Sequence, residues 1–199
     1  MRWKKLHIIL LTFAGLFIIQ DSHSHGNYLF CKLENISIEG KTNVNKFEFI
    51  YDSSNAKTLH FEENQSKESF SGSAVNFELP VKAFESSNKK MNRDFYQMLK
   101  ASHYPEISVK IKTAKLRQMS NGKQLPYLDL ELTLAGKTKT VESTCYYSKD
   151  NTGNKIIMKG ITKINLHDFS LTPPKKMLGL VQVSETIFIN FEVALNKNT

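Results

Sequence analysis

Runs in which apolar and polar residues alternate with a period of two recur from one end of this chain's body to the other, and no other feature constrains its fold so tightly. Successive side chains of a strand point to opposite faces, so each such run carries one dry face and one wet face. Ile36-Ser37-Ile38-Glu39 alternates up to Gly40, and Lys46-Phe47-Glu48-Phe49 runs on into Ile50-Tyr51. Val75 to Leu79, Ile107 to Lys112 and Leu128 to Leu134 repeat the pattern, as do Lys155 to Ile164 and Ile187 to Val193. Thr58 to Phe61 is a weaker candidate. Continuous apolar runs joined by helices, which a parallel α/β sheet would need, are missing. Thirteen Phe and seven Tyr in 199 residues fit the same picture, because aromatic side chains suit a half-buried pleated surface.

Turn residues separate these runs. Asn121-Gly122 is a strong hairpin signal, since both residues tolerate positive φ. Ala135-Gly136-Lys137 and Asp150-Asn151-Thr152-Gly153 read as further turns. Many short strands separated by turns indicate an all-β sandwich or barrel. One segment departs from this. Met91, Phe95, Met98 and Leu99 fall on one face of a helix over residues 91–100, which the bond before Pro105 brings to an end. That face reads as a cover for the end of the sheet. Glu62 to Ser73 is polar and reads as a loop, and Asn196 to Thr199 reads as a short tail. No linker divides the part of the chain that follows the first 24 residues, so residues 25–199 form a single domain.

The first 24 residues have the layout of an export signal. Arg2, Lys4 and Lys5 precede an uncharged run from Ile8 to Ile19, and Ser22-His23-Ser24 supplies small residues for cleavage near Ser24. The apolar run is shorter than the ~20 residues that a membrane-spanning helix requires. Residues 1–24 are therefore expected to be a signal peptide, and the remainder a periplasmic or secreted protein. Tyr28-Leu29-Phe30 ahead of Cys31 is not a lipoprotein cleavage sequence. Cys31 and Cys145 are the only cysteines. In an oxidising compartment they can pair, and otherwise they stand as two separate buried thiols. The formal net charge is +8, with lysines scattered along strands and turns. This reads as a solvated face with some attraction for anionic groups, and no basic stripe or motif marks a nucleic-acid partner. Transient membrane contact and a dimer are both compatible with the sequence.

Catalytic signatures are not found. There is no nucleophile elbow, phosphate loop, zincin helix or dinucleotide fingerprint. His25, His60, His103 and His167 have no second histidine at metal-ligand spacing, so no metal or other cofactor is expected. His167-Asp168 and His103 read as ordinary turn or strand-end residues.

The order of several segments resembles the YceI-like family of exported lipid-binding proteins. Ile38 to Phe47, with Gly40, Thr42, Asn43 and Val44, resembles that family's first strand-turn-strand. Phe77-Glu78-Leu79-Pro80-Val81-Lys82-Ala83-Phe84 is similar to its proline-containing strand end. Met91 to Lys100 followed by Tyr104-Pro105-Glu106-Ile107, then Leu132 to Lys139, then Phe169 to Pro174 with Gly179 to Val183, complete the ordered set over residues 36–195. The resemblance implies an eight-stranded antiparallel lipocalin-like barrel with a short α-helix covering one end. It also implies a non-catalytic protein whose apolar interior takes an amphiphile with an isoprenoid tail, such as a prenyl pyrophosphate or a quinone. An interior of this kind holds one small ligand. The alternating residues expected to line it are Phe47, Phe49, Phe77, Leu79, Val109, Ile111, Leu130, Leu132, Tyr146, Ile157 and Phe191. Each of these also suits an ordinary filled core. A barrel that contacts other envelope proteins without a lipid, an enzyme built on His167 or His103, and an outer-membrane barrel are the competing readings.

Overall fold

Alternating runs become strands, and the 14-residue strand Tyr28–Lys41 reaches well beyond the run Ile36 to Glu39 that announces it. The computed structural model describes residues 28–55, 58–62, 76–118, 124–149, 155–176 and 180–197. The expected signal peptide, the Asn121-Gly122 and Asp150 to Gly153 turns, and the 63–73 part of the polar loop lie outside these residues. The strands are β1 Tyr28–Lys41, β2 Lys46–Tyr51, β3 Thr58–Glu62, β4 Asn76–Pro80 and β5 Phe84–Glu85. Helix α1 spans Lys89–Met98. There follow β6 Glu106–Gln118, β7 Gln124–Leu134, β8 Lys137–Lys149 and β9 Lys155–Asn165. A small hairpin, β10 Lys175–Lys176 and β11 Val181–Gln182, precedes β12 Thr186–Lys197. Asn196, expected in a tail, pairs with Lys155 inside β12.

The strands form one antiparallel sheet in the order β4-β6-β7-β8-β9-β12-β1-β2-β5. Strand β3 pairs with the first half of β1, and β2 pairs with its second half, so the two follow one another along a single position in the wall. Nine strands succeed one another round the sheet where eight were expected, and the additional one is β5, only two residues long. Between the two edges the chain itself makes the connection. It leaves β4 beside β6, passes through a 3-10 turn at Val81–Ala83, and joins β2 as β5. The Val81 N–H donates to the Pro105 carbonyl at 2.8 Å and the Asp52 N–H to the Ala83 carbonyl at 2.9 Å. The result is a nearly closed barrel.

Two bulges adjust which residues face inward. The pairing shifts between Leu33 and Asn35 in β1 and between Ile111 and Thr113 in β6. Cys31, Leu33, Ile36 and Ile38 are consequently all buried, although they do not share one odd-even phase. They meet Leu79, Ile107, Leu132, Ile164 and Ile187 in the interior. Charged residues occupy the outer face, as in the Lys112–Glu131 pair at 3.4 Å and the Lys159–Glu192 pair at 2.8 Å. A membrane barrel needs the opposite arrangement. At the β7–β8 turn, Ala135 and Gly136 take φ of 46° and 75°, the two positive values of a type I′ hairpin. The Tyr104 ring lies 2.5 Å from where a Cβ on Gly136 would be, so any side chain there would displace the ring.

Helix α1 covers one end of the barrel. Asn88 caps it, its Oδ1 accepting from the Lys90 and Met91 N–H groups at 2.9 and 3.2 Å. Beyond Met98 the chain leaves the helix through Leu99 and Lys100, the latter at φ 53°. The apolar face read from the sequence is the face that packs. Phe95 stacks on Phe49 with ring centroids 4.2 Å apart and lies 6.2 Å from Phe84. The Tyr96 hydroxyl donates to the Phe84 carbonyl at 3.1 Å, which fastens the helix to β5.

Cys31 and Cys145 do not pair. Both are free and buried. Strands β9 and β12 lie between β8, which carries Cys145, and β1, which carries Cys31. Three strand spacings of about 4.8 Å put the two well beyond the roughly 7 Å within which Cα atoms must lie for a disulfide.

Candidate functional site

Three cavities follow one another from the helix-covered end into the barrel. The outermost, about 370 Å³, opens between α1, the β1–β2 turn and the segment around β11. Phe47, Phe49, Met91, Phe95 and Val183 give it an apolar floor, while Thr42, Asn45, Asn88, Lys90 and Asp94 supply polar groups. The middle cavity, about 30 Å³, shares Ile38, Phe95, Met98, Leu166 and Ile187 with the outer one. The inner cavity, about 50 Å³, shares Ile36, Leu79, Val109, Leu132 and Ile189 with the middle one. The barrel is thus hollow in stages, with side chains as the partitions.

Local sequence sets the walls of this series. The rim is held by the Thr42–Asn45 turn, where the Thr42 hydroxyl donates to Asn45 Oδ1 at 2.7 Å. Asn43 clamps the turn to the β10–β11 hairpin. Its Nδ2 donates to the Leu180 carbonyl at 2.8 Å, and its Oδ1 accepts from the Gln182 N–H at 3.1 Å. Gly40 lies opposite Phe47, and Gly160 opposite Phe191. A Cβ on Gly160 would fall 2.0 Å from the Phe191 ring, and one on Gly40 2.2 Å from the Phe47 ring. A side chain at either glycine would force the facing ring out of its place.

Most of the residues expected to line the interior come together. Phe47 and Phe49 border the outer cavity. Phe77, Leu79, Val109, Ile111, Leu130, Leu132 and Phe191 border the inner one. Tyr146 does not. It is 57% exposed, because the inward phase of β8 belongs to Val141, Ser143 and Cys145. Nor does Ile157, whose neighbour Met158 holds the inward position and lines the inner cavity. Sequence reading missed Thr162, which is 1% exposed and lines the same cavity. Its Oγ1 is buried without a hydrogen-bond partner. A threonine on an alternating strand reads as part of the wet face, so period alone gives no signal for it.

A wider cleft of about 900 Å³ separates the edges of β2 and β4, and it shares Leu33, Phe77 and Leu79 with the inner cavity. His167 sits outside all of these spaces, its Nε2 2.9 Å from Glu185 Oε1 on the surface. His103 Nδ1 lies 3.0 Å from the Ser102 hydroxyl. Among the described residues, no three His, Cys, Asp or Glu side chains are placed to hold a metal ion. Burial pushes the Cys31 thiol up to about 12. It pushes the Cys145 thiol up to about 11, a contact to Ser143 pulling weakly the other way.

The fold has solved counterparts. The crystal structure of Burkholderia cenocepacia BcnA superposes with a TM-score of 0.59 at 19% identity, covering 80% of this chain and 94% of that one. A polyisoprenoid-binding domain from Saccharophagus degradans, implicated in plant cell wall breakdown, gives 0.54 at 12% identity, covering 87% of this chain and 100% of that one. At these identities the likeness is one of fold. No curated protein matches the chain. The sequence profile of the YceI-like domain matches residues 21–195, and the chain belongs to that family.

Proposed function

We propose that this chain is an exported, non-catalytic carrier that holds an isoprenoid-like amphiphile in its barrel. The observation that carries this reading is the staged series of apolar cavities opening at a polar rim under α1. The outer space alone, about 370 Å³, falls within the roughly 300–1,000 Å³ of small-molecule sites. An apolar tail seated there contributes about 0.8 kcal/mol per buried CH₂ and needs no elaborate polar constellation. Lys90 at the rim suits an anionic head such as a pyrophosphate, while a neutral quinone needs only the apolar walls. A structural relative that is itself described as polyisoprenoid-binding adds support. The residues assigned to the ligand are Phe47, Phe49, Phe77, Leu79, Val109, Ile111, Leu130, Leu132 and Phe191. The carrier works in the periplasm or outside the cell, and touches membranes only to load and unload.

Mass spectrometry of organic extracts from the purified protein tests the reading. The expected result is a prenyl-chain lipid in amounts comparable to the protein. Extracts free of lipid, together with no uptake of added prenyl lipids, would leave a barrel that only contacts other envelope proteins.

A further inference from the structure

The inner cavity has one polar side chain among its described lining residues, Thr162, and no ionisable one. Its hydroxyl is enclosed, with no hydrogen-bond partner. Leaving a buried donor and acceptor unmet is costly, so such a group in a native fold calls for a partner from outside the chain. Ser143 stands opposite Thr162 across β8 and β9 and is fully buried, yet it does not serve. The partner found for Ser143 is the Cys145 thiol, 3.8 Å from its carbonyl and 4.0 Å from its Oγ. Thr162 lies three residues along β9 from Asn165, about 10 Å at the strand rise, and Leu166, the first residue of the 3-10 turn that follows, borders the outer cavity. A group that enters from the outer cavity and reaches Thr162 has therefore passed the Phe95 and Leu166 partition.

We propose that the inner cavity is the subsite for a small, neutral, oxygen-bearing chain end, and that Thr162 Oγ1 is its hydrogen-bond partner. This rests on the carrier reading above and narrows it. The occupant is an apolar chain ending in an alcohol, aldehyde or carboxamide, inserted with that end first. A pyrophosphate does not go there, because a charge buried among Leu, Ile, Val and Phe side chains has nothing to offset its lost hydration. The space of about 50 Å³ also favours a group of a few heavy atoms over a ring.

Calorimetric titration with farnesol, a prenyl alcohol, and with farnesene, a hydrocarbon of the same skeleton, tests this. The unaltered protein is expected to bind farnesol about tenfold more tightly, the worth of one well-made buried hydrogen bond. Thr162→Val closes the gap between the two probes, and Thr162→Ser restores it. A crystal structure of the farnesol complex should place the hydroxyl on Thr162 Oγ1. Equal binding of both probes by the unaltered protein overturns the subsite but leaves the carrier intact. So does a preference that survives Thr162→Val, or a complex in which Thr162 holds a buried water only. If neither probe binds, the subsite falls, and the carrier reading is decided by the lipid-extract test above.

Discussion

Cys31 and Cys145 hold their protons tightly because burial disfavours the thiolate, and this has two measurable results. A thiol in the unfolded chain ionises near 9.0, but in the fold only near 12 for Cys31 and 11 for Cys145. Below pH 9 both states keep these protons, so the thiols add no pH dependence. Above it the unfolded chain loses protons that the fold retains, and stability falls as pH rises toward 11 and 12. Urea unfolding between pH 9 and pH 11 should show this decline, less steep in a variant with both cysteines changed to alanine. An alkylating reagent should spare both thiols in the folded protein and label both after denaturation without reductant. Labelling that requires a reductant would mean a bridge. At this scale the sequence was legible in identity more than in direction. Alternation places Tyr146 and Cys145 on opposite faces but does not say which face is dry. The inner wall of β8 is built from Val141, Ser143 and Cys145, small side chains that leave room.

Helix α1 shows what one element contributes beyond its own hydrogen bonds. Phe95 joins it to β2 and β5 through Phe49 and Phe84, so Phe95→Ala should cost about 3–5 kcal/mol in denaturant unfolding. Asn88→Ala, which removes the cap alone, should cost about 1 kcal/mol. Similar losses from the two variants would mean that the helix is not held by its aromatic face. The helix was readable because Met91, Phe95, Met98 and Leu99 keep a clean helical spacing. Strand β8 was not, since its inward residues are too weakly apolar to stand out against Lys137, Lys139, Glu142 and Lys149. The first half of β1 was hidden for another reason. The bulge beside Glu34 changes the inward phase between Leu33 and Ile36, so a single period never runs the length of the strand.

For the whole molecule, alternation and turns identified an all-β domain but could not choose between sandwich and barrel; the family resemblance made that choice. Closure depends on Pro80 to Glu85, where a 3-10 turn and a two-residue strand carry no periodicity to detect. The export expectation is also a property of the whole chain. Protein recovered from the periplasm or medium of the expressing cell should begin at His25 when sequenced from its N-terminus, and recovery with Met1 retained would count against export. Among the described residues no ladder joins β2 to β4, so the wall of the barrel resembles a split cuff fastened by a strap. A split cuff changes girth at its slit. For the carrier proposed above, bulkier cargo would enter by spreading that slit and flexing the strap, with the paired strands elsewhere in the wall left zipped.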